Sequence, residues 1–283
     1  MILISIIIAL VIERLGARAN YWQAEFYLLQ YKERSAPWLS EGKWLDSNLG
    51  FTFWLILPAL AVALIWQFSD FVIWQFAVNI SLLLVAIGCS QLRANYKGYL
   101  NALSRGDTVA ATLYALQMGQ RRLETERGGE TFGQTLAWVN FRHYCAVIFW
   151  FVLLGAPGAV LYATVRTVAD WTYNDKHHEL SMHRKRLQSL LFWLDWLPAR
   201  VASFGFLIIG NFSKGTSCWL KYLLDFRISN RKVVTNTALA AEQIEVEHFG
   251  CTYEATCMMR LVKRNILFYL VLIAILTLFG MVA

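Results

Sequence analysis

Charged side chains are scarce in this chain: Asp, Glu, Lys and Arg make up 16% of its 283 residues, while hydrophobic residues make up 57%. Ordinary soluble domains carry about 25% charged residues. The sequence also lacks a GxxxxGK phosphate loop, a GxSxG nucleophile motif and an HExxH zinc motif. The composition therefore excludes an ordinary soluble domain and indicates an integral membrane protein, with no support for the enzymes that those motifs mark.

Cysteine and histidine residues at spacings suited to binding a metal ion are also lacking. The five cysteines show no paired spacing, so we interpret them as inert thiols. The segment HHELSMH contains His177, His178 and His183, but a separation of five residues does not place two imidazoles on one helical face. We therefore expect a solvated loop there, no metal and no cofactor.

Long apolar runs are abundant. Residues 47–69, 71–92, 144–165 and 265–283 each approach or exceed the roughly 20 residues that a membrane-spanning helix needs. Residues 1–12 form a shorter run that lacks a basic n-region and a cleavage site, so we interpret it as a retained helix. Residues 187–210 are amphipathic. No strand alternation competes, and the predicted fold is a polytopic all-α membrane protein, one domain over residues 1–283.

The basic residues predict the orientation of these runs. Lys and Arg flank the hairpin formed by 47–69 and 71–92, which places both flanks, including a helical insert at 93–143, in the cytoplasm. Residues 144–165 and 187–210 must then either both cross the membrane or both fail to cross it, so that the basic segments before and after the pair stay on the same side. We favour the second arrangement, because GAPG at 155–158 supplies a break for a re-entrant turn. We interpret the net charge of +7 as favouring contact with an anionic lipid surface and not with nucleic acid.

Helix boundaries in the cytoplasmic insert have clear local signals. Asp107 is a suitable N-cap for the segment that follows it, and Gly119 is a suitable stop. A further helix is expected to begin near Thr131 and to continue into the apolar run at 144–165.

Polar residues at the edges of the apolar runs are the candidate site. Asn140 and His143 fall on one helical face with Tyr144, while Arg142 points elsewhere. These residues either bridge neighbouring helices at the interface or line a polar pocket with a protonatable His. Arg93 and Lys97, at i and i+4, either reach lipid headgroups or form an anion-binding wall shared with Arg105.

A second polar group surrounds the motif DWLPAR. Asp195 lies between two tryptophans. A carboxylate in so apolar a setting requires a positively charged partner, which Arg200 or Arg166 could supply. A structural ion pair and a catalytic carboxylate are the two interpretations.

Several motifs resemble those of the AmpE family of inner-membrane proteins linked to β-lactamase induction. They are VIERL near the start, SRGD, LAWVNFRHY, LLGAPGAVLYATVRTVAD and DWLPARV. The resemblance covers nearly the whole chain and implies a multi-pass protein of the bacterial inner membrane. The AmpE family is in turn similar to the CobD/CbiB membrane enzymes of cobalamin biosynthesis, which carry acidic residues where this chain has NFRHYC, Ala169, Leu191 and Phe192.

The first hypothesis is a regulatory membrane protein of the AmpE type, active in the response to β-lactams. Its pocket would bind a small anionic ligand, such as a nucleotide or a cell-wall fragment, or a partner. The predicted ligand-binding residues are Asn140, Arg142, His143, Asp170, Asp195, Arg200, Arg93 and Lys97.

Two alternatives stay open, and a homo-oligomer is compatible with each hypothesis. One is a synthetase or transferase related to the cobalamin enzyme, disfavoured by the missing carboxylates but kept open by Asp170 and Asp195. The other is a transporter of a cell-wall fragment.

Overall fold

The computed structural model describes residues 1–15, 20–41, 47–67, 71–120, 129–173 and 178–281, and in these ranges every regular element is a helix. The all-α prediction is confirmed for this part of the chain. A π-helical turn occurs at Phe141–Cys145, and short 3-10 turns occur at Asn20–Trp22, His178–His183 and Val246–His248. The α-helices are α1 Ile2–Leu15, α2 Ala24–Glu41, α3 Asn48–Gln67, α4 Val72–Ile87, α5 Ser90–Ser104, α6 Thr108–Gln117, α7 Phe132–Asn140, α8 Ala146–Tyr173, α9 Arg184–Ile209, α10 Phe212–Leu223, α11 Asn230–Glu242 and α12 Thr252–Leu278.

Among the described residues, four helical stretches are long and apolar enough to cross a membrane: Asn48–Gln67, Phe132–Tyr173, Leu180–Ile209 and Thr252–Leu278. α4 and α5 add a fifth if they form one span broken at Gly88 and Cys89. The protein is therefore a membrane protein, as its composition predicts. α1 is about 21 Å long, short of the roughly 30 Å hydrocarbon core, as expected for the first apolar run. The orientation of each span stays a prediction.

The chain divides into two compact units. The first contains Met1–Gly88, Ala146–Leu194 and Ile273–Ala283, and the second contains Cys89–Cys145 and Asp195–Leu272. That residues 1–283 act as one domain stays a prediction.

In the first unit, α8 is the central helix and contacts α1, α2, α3 and α4. Large side chains such as Phe51, Phe151 and Tyr162 are fully buried in its core. His183 also lies in this unit, where its buried ring stacks on Phe51 at 4.0 Å between centroids. The expected solvated loop therefore does not extend to His183, because the imidazole packs as an aromatic ring. His177 lies outside the described residues.

The second unit has a polar interior around α11. This helix contacts both α7 and α10, and α5 packs against α6. α11 buries Asn230, Arg231, Thr235 and Thr237. Buried polar groups require hydrogen-bond partners, so the packing of this unit depends on specific polar contacts as well as on apolar area.

The predicted helix boundaries in the insert at residues 93–143 are confirmed. The Asp107 carboxylate accepts a hydrogen bond from Ala110 N at 2.9 Å and caps α6. The helix ends before Gly119, which has a φ of 91°. Thr131 and Gln134 form a capping box that begins α7, with hydrogen bonds of 3.2 and 2.9 Å. Each signal is local, since cap and acceptor lie within one helical turn.

The predicted break in GAPG is also confirmed. Gly155 has φ 69° and ψ −159° inside α8, a backbone conformation that side-chain-bearing residues rarely adopt. The helix resumes directly, because Pro157 has the fixed φ suited to a first helical turn. α8 then continues to Tyr173, beyond the apolar run at 144–165.

Candidate ligand site around the π-helical turn

The π-helical turn Phe141–Cys145 interrupts a helix that otherwise runs from Phe132 to Tyr173. π-turns are rare, and they occur often at functional sites. The wider turn brings Cys145 Sγ to 3.9 Å from Oδ1 of Asn140, five residues earlier. Asn140, Arg142 and His143 are all half-buried at this turn. The register of side chains therefore differs here from the 3.6-residue period used to predict a shared face.

Two guanidinium groups lie beside the indole ring of Trp138. Arg142 is 5.9 Å from the ring centroid, and Arg231 of α11 is 5.8 Å from it. A cation within about 6 Å of an aromatic face is attracted by the negative face of the ring. Trp138 is itself buried, so it forms part of the packed wall of the site.

The charge of Arg231 is matched within the second unit. Its Nε lies 2.9 and 2.8 Å from the two carboxylate oxygens of Glu130, and its Nη2 lies 2.6 Å from Glu130 Oε2 and 2.8 Å from the carbonyl of Gly119. This pairing ties α11 to the segments before α7 and after α6. In the sequence, the next acidic residue after Glu130 is Asp170, so α7, the π-turn and most of α8 carry only basic charge.

Arg93 of α5 joins this region through Tyr144. The guanidinium of Arg93 interacts with the Tyr144 hydroxyl, which lies 3.1 Å from Cys89 Sγ. Lys97 lies one turn further along α5 and is exposed. The structure therefore associates Arg93 with the π-turn and leaves Lys97 on the surface of the same helix.

Arg200 is held by protein groups on several sides. Its guanidinium donates hydrogen bonds to the carbonyls of Trp196, Tyr222, Leu223 and Asp225 at 3.2 to 3.5 Å, and to Oδ1 of Asn230. It also lies 4.8 Å from the Trp196 ring centroid. These contacts satisfy carbonyls at the end of α10, where a cation is favoured. An anionic ligand would have to share these donors.

The two predicted acidic residues lie in different units. Asp195 belongs to the second unit and is 3% exposed. Asp170 belongs to the first unit and is half-buried near the end of α8. Arg166, considered as a partner for Asp195, donates a 3.0 Å hydrogen bond to the carbonyl of Ala86 at the end of α4.

Glu254 is a buried carboxylate that sequence reasoning missed. It is fully buried and accepts hydrogen bonds from Gly133 N at 2.8 Å and Gly250 N at 2.7 Å. Gly133 lies in the first turn of α7, and Gly250 precedes α12, so one carboxylate joins two helix starts. A β-carbon at Gly133 would lie 2.5 Å from Glu254 Oε1, which explains the glycine. The local signal was the Glu in the first turn of α12, but nothing in the sequence indicated its partner in α7.

Comparison with known proteins decides the family. The family model described as "Regulatory signalling modulator protein AmpE" matches residues 1–283. The chain belongs to the AmpE family. The AmpE protein of Shigella flexneri is 28% identical over 99% of both chains. No solved structure matches the chain.

Cobalamin enzymes match a smaller share of this AmpE family chain. The "Cobalamin biosynthesis protein CobD" of Chromobacterium violaceum is 28% identical over 54% of this chain and 50% of its own length. The protein of the same name from Stutzerimonas stutzeri is 26% identical over 60% of this chain and 57% of its own. The kinship inferred from the shared motifs is therefore present but partial.

Proposed function

We propose that this AmpE family protein is a multi-pass regulatory protein of the bacterial inner membrane that modulates β-lactamase induction in response to β-lactams. In this proposal it binds a small anionic ligand, a nucleotide or a cell-wall fragment, beside the π-helical turn. Support for the regulatory role comes from the family match over the whole chain. Support for the ligand comes from the charge and geometry around Arg142.

The observation that carries the ligand proposal is the one-sided charge of this helix. Arg142 and His143 lie at the π-turn, and Arg93 reaches the same turn through Tyr144. No Asp or Glu occurs between Glu130 and Asp170 in the sequence. Guanidinium groups suit carboxylates and phosphates, because their N–H donors match the spacing of two oxygens.

The predicted residues take different roles in this proposal. Arg142 and Arg93 supply the charge, and Asn140 and His143 supply hydrogen bonds to neutral oxygens. Lys97 attracts the ligand from the surface. Asp195 and Arg200 complete the proposed set within the second unit: Arg200 shapes the site through its bonds to α10 and α11, while the Asp195 carboxylate orients hydroxyl or amino groups. Asp170 belongs to the first unit and has no role in this proposal.

A binding measurement on the full chain in detergent tests the ligand proposal. The probes are ATP and a muramyl peptide, each titrated by calorimetry. We expect one of them to bind and the Arg142→Gln variant to weaken binding at least tenfold, since a charge-assisted hydrogen bond contributes about 1.5–3 kcal/mol. Arg260→Gln removes an exposed arginine of the same unit outside the predicted set and should leave the affinity unchanged. If neither probe binds, or if both variants bind alike, the ligand proposal fails.

A cellular measurement tests the regulatory role separately. In the bacterium that encodes the protein, deletion of the gene should change the rate of nitrocefin hydrolysis after exposure to a β-lactam. Wild-type protein should restore the response, and Arg142→Gln protein at equal abundance should not. Unchanged induction in the deletion strain would refute the regulatory role.

A membrane synthetase or transferase is the second candidate, favoured by the partial match to CobD proteins. Its chemistry would require a carboxylate such as Asp195 to orient metal-bound phosphates. Incubation of the purified chain with ATP, Mg²⁺ and an amino alcohol should then release phosphate or pyrophosphate, and Asp195→Asn should abolish the release. Ligand binding without any such release would instead support the regulatory protein.

A further inference from the structure

An exposed apolar corner joins α10 to α11 in the second unit. We define the α10–α11 corner as residues 220–227, of sequence LKYLLDFR. Three large apolar side chains are exposed there: Leu220 at 58%, Leu224 at 74% and Phe226 at 52%. Two basic residues beside them, Lys221 and Arg227, are exposed as well. Apolar residues concentrated at one turn and flanked by cations are typical of segments that enter a lipid interface.

The corner is held rigidly. Arg200 of α9 donates hydrogen bonds to the carbonyls of Tyr222, Leu223 and Asp225. The ring of Phe226 stacks on Trp196 with 5.0 Å between centroids and 4° between planes. The backbone of the corner is therefore fixed beside residues 196–200 of α9, and its apolar side chains project from an ordered turn.

The depth of the corner follows from the contacts of α12. In α12 the last charged residues are Lys263 and Arg264, and no charge occurs in residues 265–278. The uncharged part is the portion that can lie in hydrocarbon. Tyr269, one turn inside it, donates a hydrogen bond to the carbonyl of Pro198 at 3.5 Å. If α12 enters the bilayer after Arg264, this contact places residues 196–200, and the corner held beside them, about one helical turn from that point of entry.

We propose that the α10–α11 corner inserts into the membrane interface and binds anionic phospholipid headgroups through Lys221 and Arg227. Leu220, Leu224 and Phe226 enter the boundary of the acyl chains, and the two cations meet the phosphates above them. The carboxylate of Asp225 accepts a hydrogen bond from Arg227 N at 2.8 Å and closes the turn, and the two cations of the corner outnumber this single negative charge.

Spin labels on the full chain test the depth. The half-buried Cys218 and Cys251 are replaced by Ser. Single labels are placed at Leu224→Cys, directly after α10, and at Ser213→Cys in the first turn of α10. In vesicles containing phosphatidylglycerol we expect the label at position 224 to collide with oxygen more than with a water-soluble nickel chelate. The exposed position 213 should show the reverse. Equal access of the nickel chelate to both labels would overturn the proposal.

A lipid titration tests the headgroup contact. Binding of phosphatidylglycerol and of phosphatidylcholine with the same acyl chains is measured by native mass spectrometry of the full chain. Each basic residue near an anionic surface contributes about fivefold in affinity, so Lys221→Gln should weaken phosphatidylglycerol binding about fivefold and Lys221→Gln/Arg227→Gln roughly 25-fold. Lys232→Gln removes an exposed lysine of the same unit outside the corner and should have no effect.

Two other outcomes would overturn the inference. The first is equal affinity for both lipids in the wild-type chain. The second is a label at position 224 that becomes shielded only as protein concentration rises, which would assign the corner to a second copy of this chain. Neither outcome bears on ligand binding at Arg142, so this inference and the proposed function fail independently.

Discussion

Replacing Glu254 should destabilise the second unit more than any exposed substitution. Its buried carboxylate accepts backbone hydrogen bonds of 2.8 and 2.7 Å from Gly133 and Gly250. A hydrogen bond to a charged group contributes about 1.5–3 kcal/mol. Glu254→Ala removes two of them, and the desolvation cost of the carboxylate disappears with it, so the net loss is about 2–4 kcal/mol. Both donors lie near helix starts, where a negative charge is also favoured by the helix dipole.

Glu254→Gln keeps the volume of the side chain and changes its hydrogen bonds, so it distinguishes the effect of the hydrogen bonds from the effect of packing. The amide oxygen can accept one of the two bonds, but the amide NH2 would face the other N–H. We therefore expect about half the loss seen for alanine. Gly133→Ala is an independent perturbation of the same contact, because its β-carbon would lie 2.5 Å from Glu254 Oε1.

Thermal unfolding in detergent, followed by tryptophan fluorescence, measures these effects. A loss of 1 kcal/mol shifts the midpoint by about 2–4 °C for a chain of this size, so Glu254→Ala should unfold roughly 5–15 °C below wild type. Glu245→Gln changes an exposed carboxylate in the loop before α12 and should leave the midpoint in place. If Glu254→Ala has the same melting midpoint as wild type, the carboxylate does not join α7 to α12 and the reasoning is wrong.

Three further predictions concern the buried pair, pH and the kink. Arg231→Ala should cost about 2–4 kcal/mol in chemical denaturation, since it leaves Glu130 without its partner, whereas Arg231→Ala with Glu130→Gln should recover part of the loss. Burial raises the pKa of Glu242 above 4.5, although the Arg264 guanidinium lies 3.2 Å from its carboxylate. The free energy of unfolding should therefore fall as pH rises from 4.5 through the raised pKa. Melting curves recorded at a series of pH values should show a weaker pH dependence for Glu242→Gln. Gly155→Ala should lower the melting midpoint by a few degrees, since alanine is strained at φ 69°; an unchanged midpoint would refute this.

Tertiary structure alone decided how the polar groups are satisfied. Arg231 and Glu130 are 101 positions apart, and Glu254 and Gly133 are 121 apart, yet each pair is in direct contact. No periodicity connects positions so distant. The sequence indicated Arg200 as a ligand or as a partner of Asp195, and both roles stay predictions; that its guanidinium also binds the carbonyls of Tyr222 and Asp225 came only from the packing of distant segments. The π-turn was equally hidden, because a wider helical turn leaves no mark on composition.

The sequence by itself determined the membrane class, the helical fold and several helix boundaries. Uncharged apolar runs of about 20 residues are suited to a bilayer as helices, because each helix pairs its own backbone groups. The caps at Asp107 and Thr131 and the break at Gly155 were predictable for a related reason: the interacting atoms lie within about one turn of each other. Contacts between distant segments depend on which helices meet, and that is decided by the packing of the whole chain.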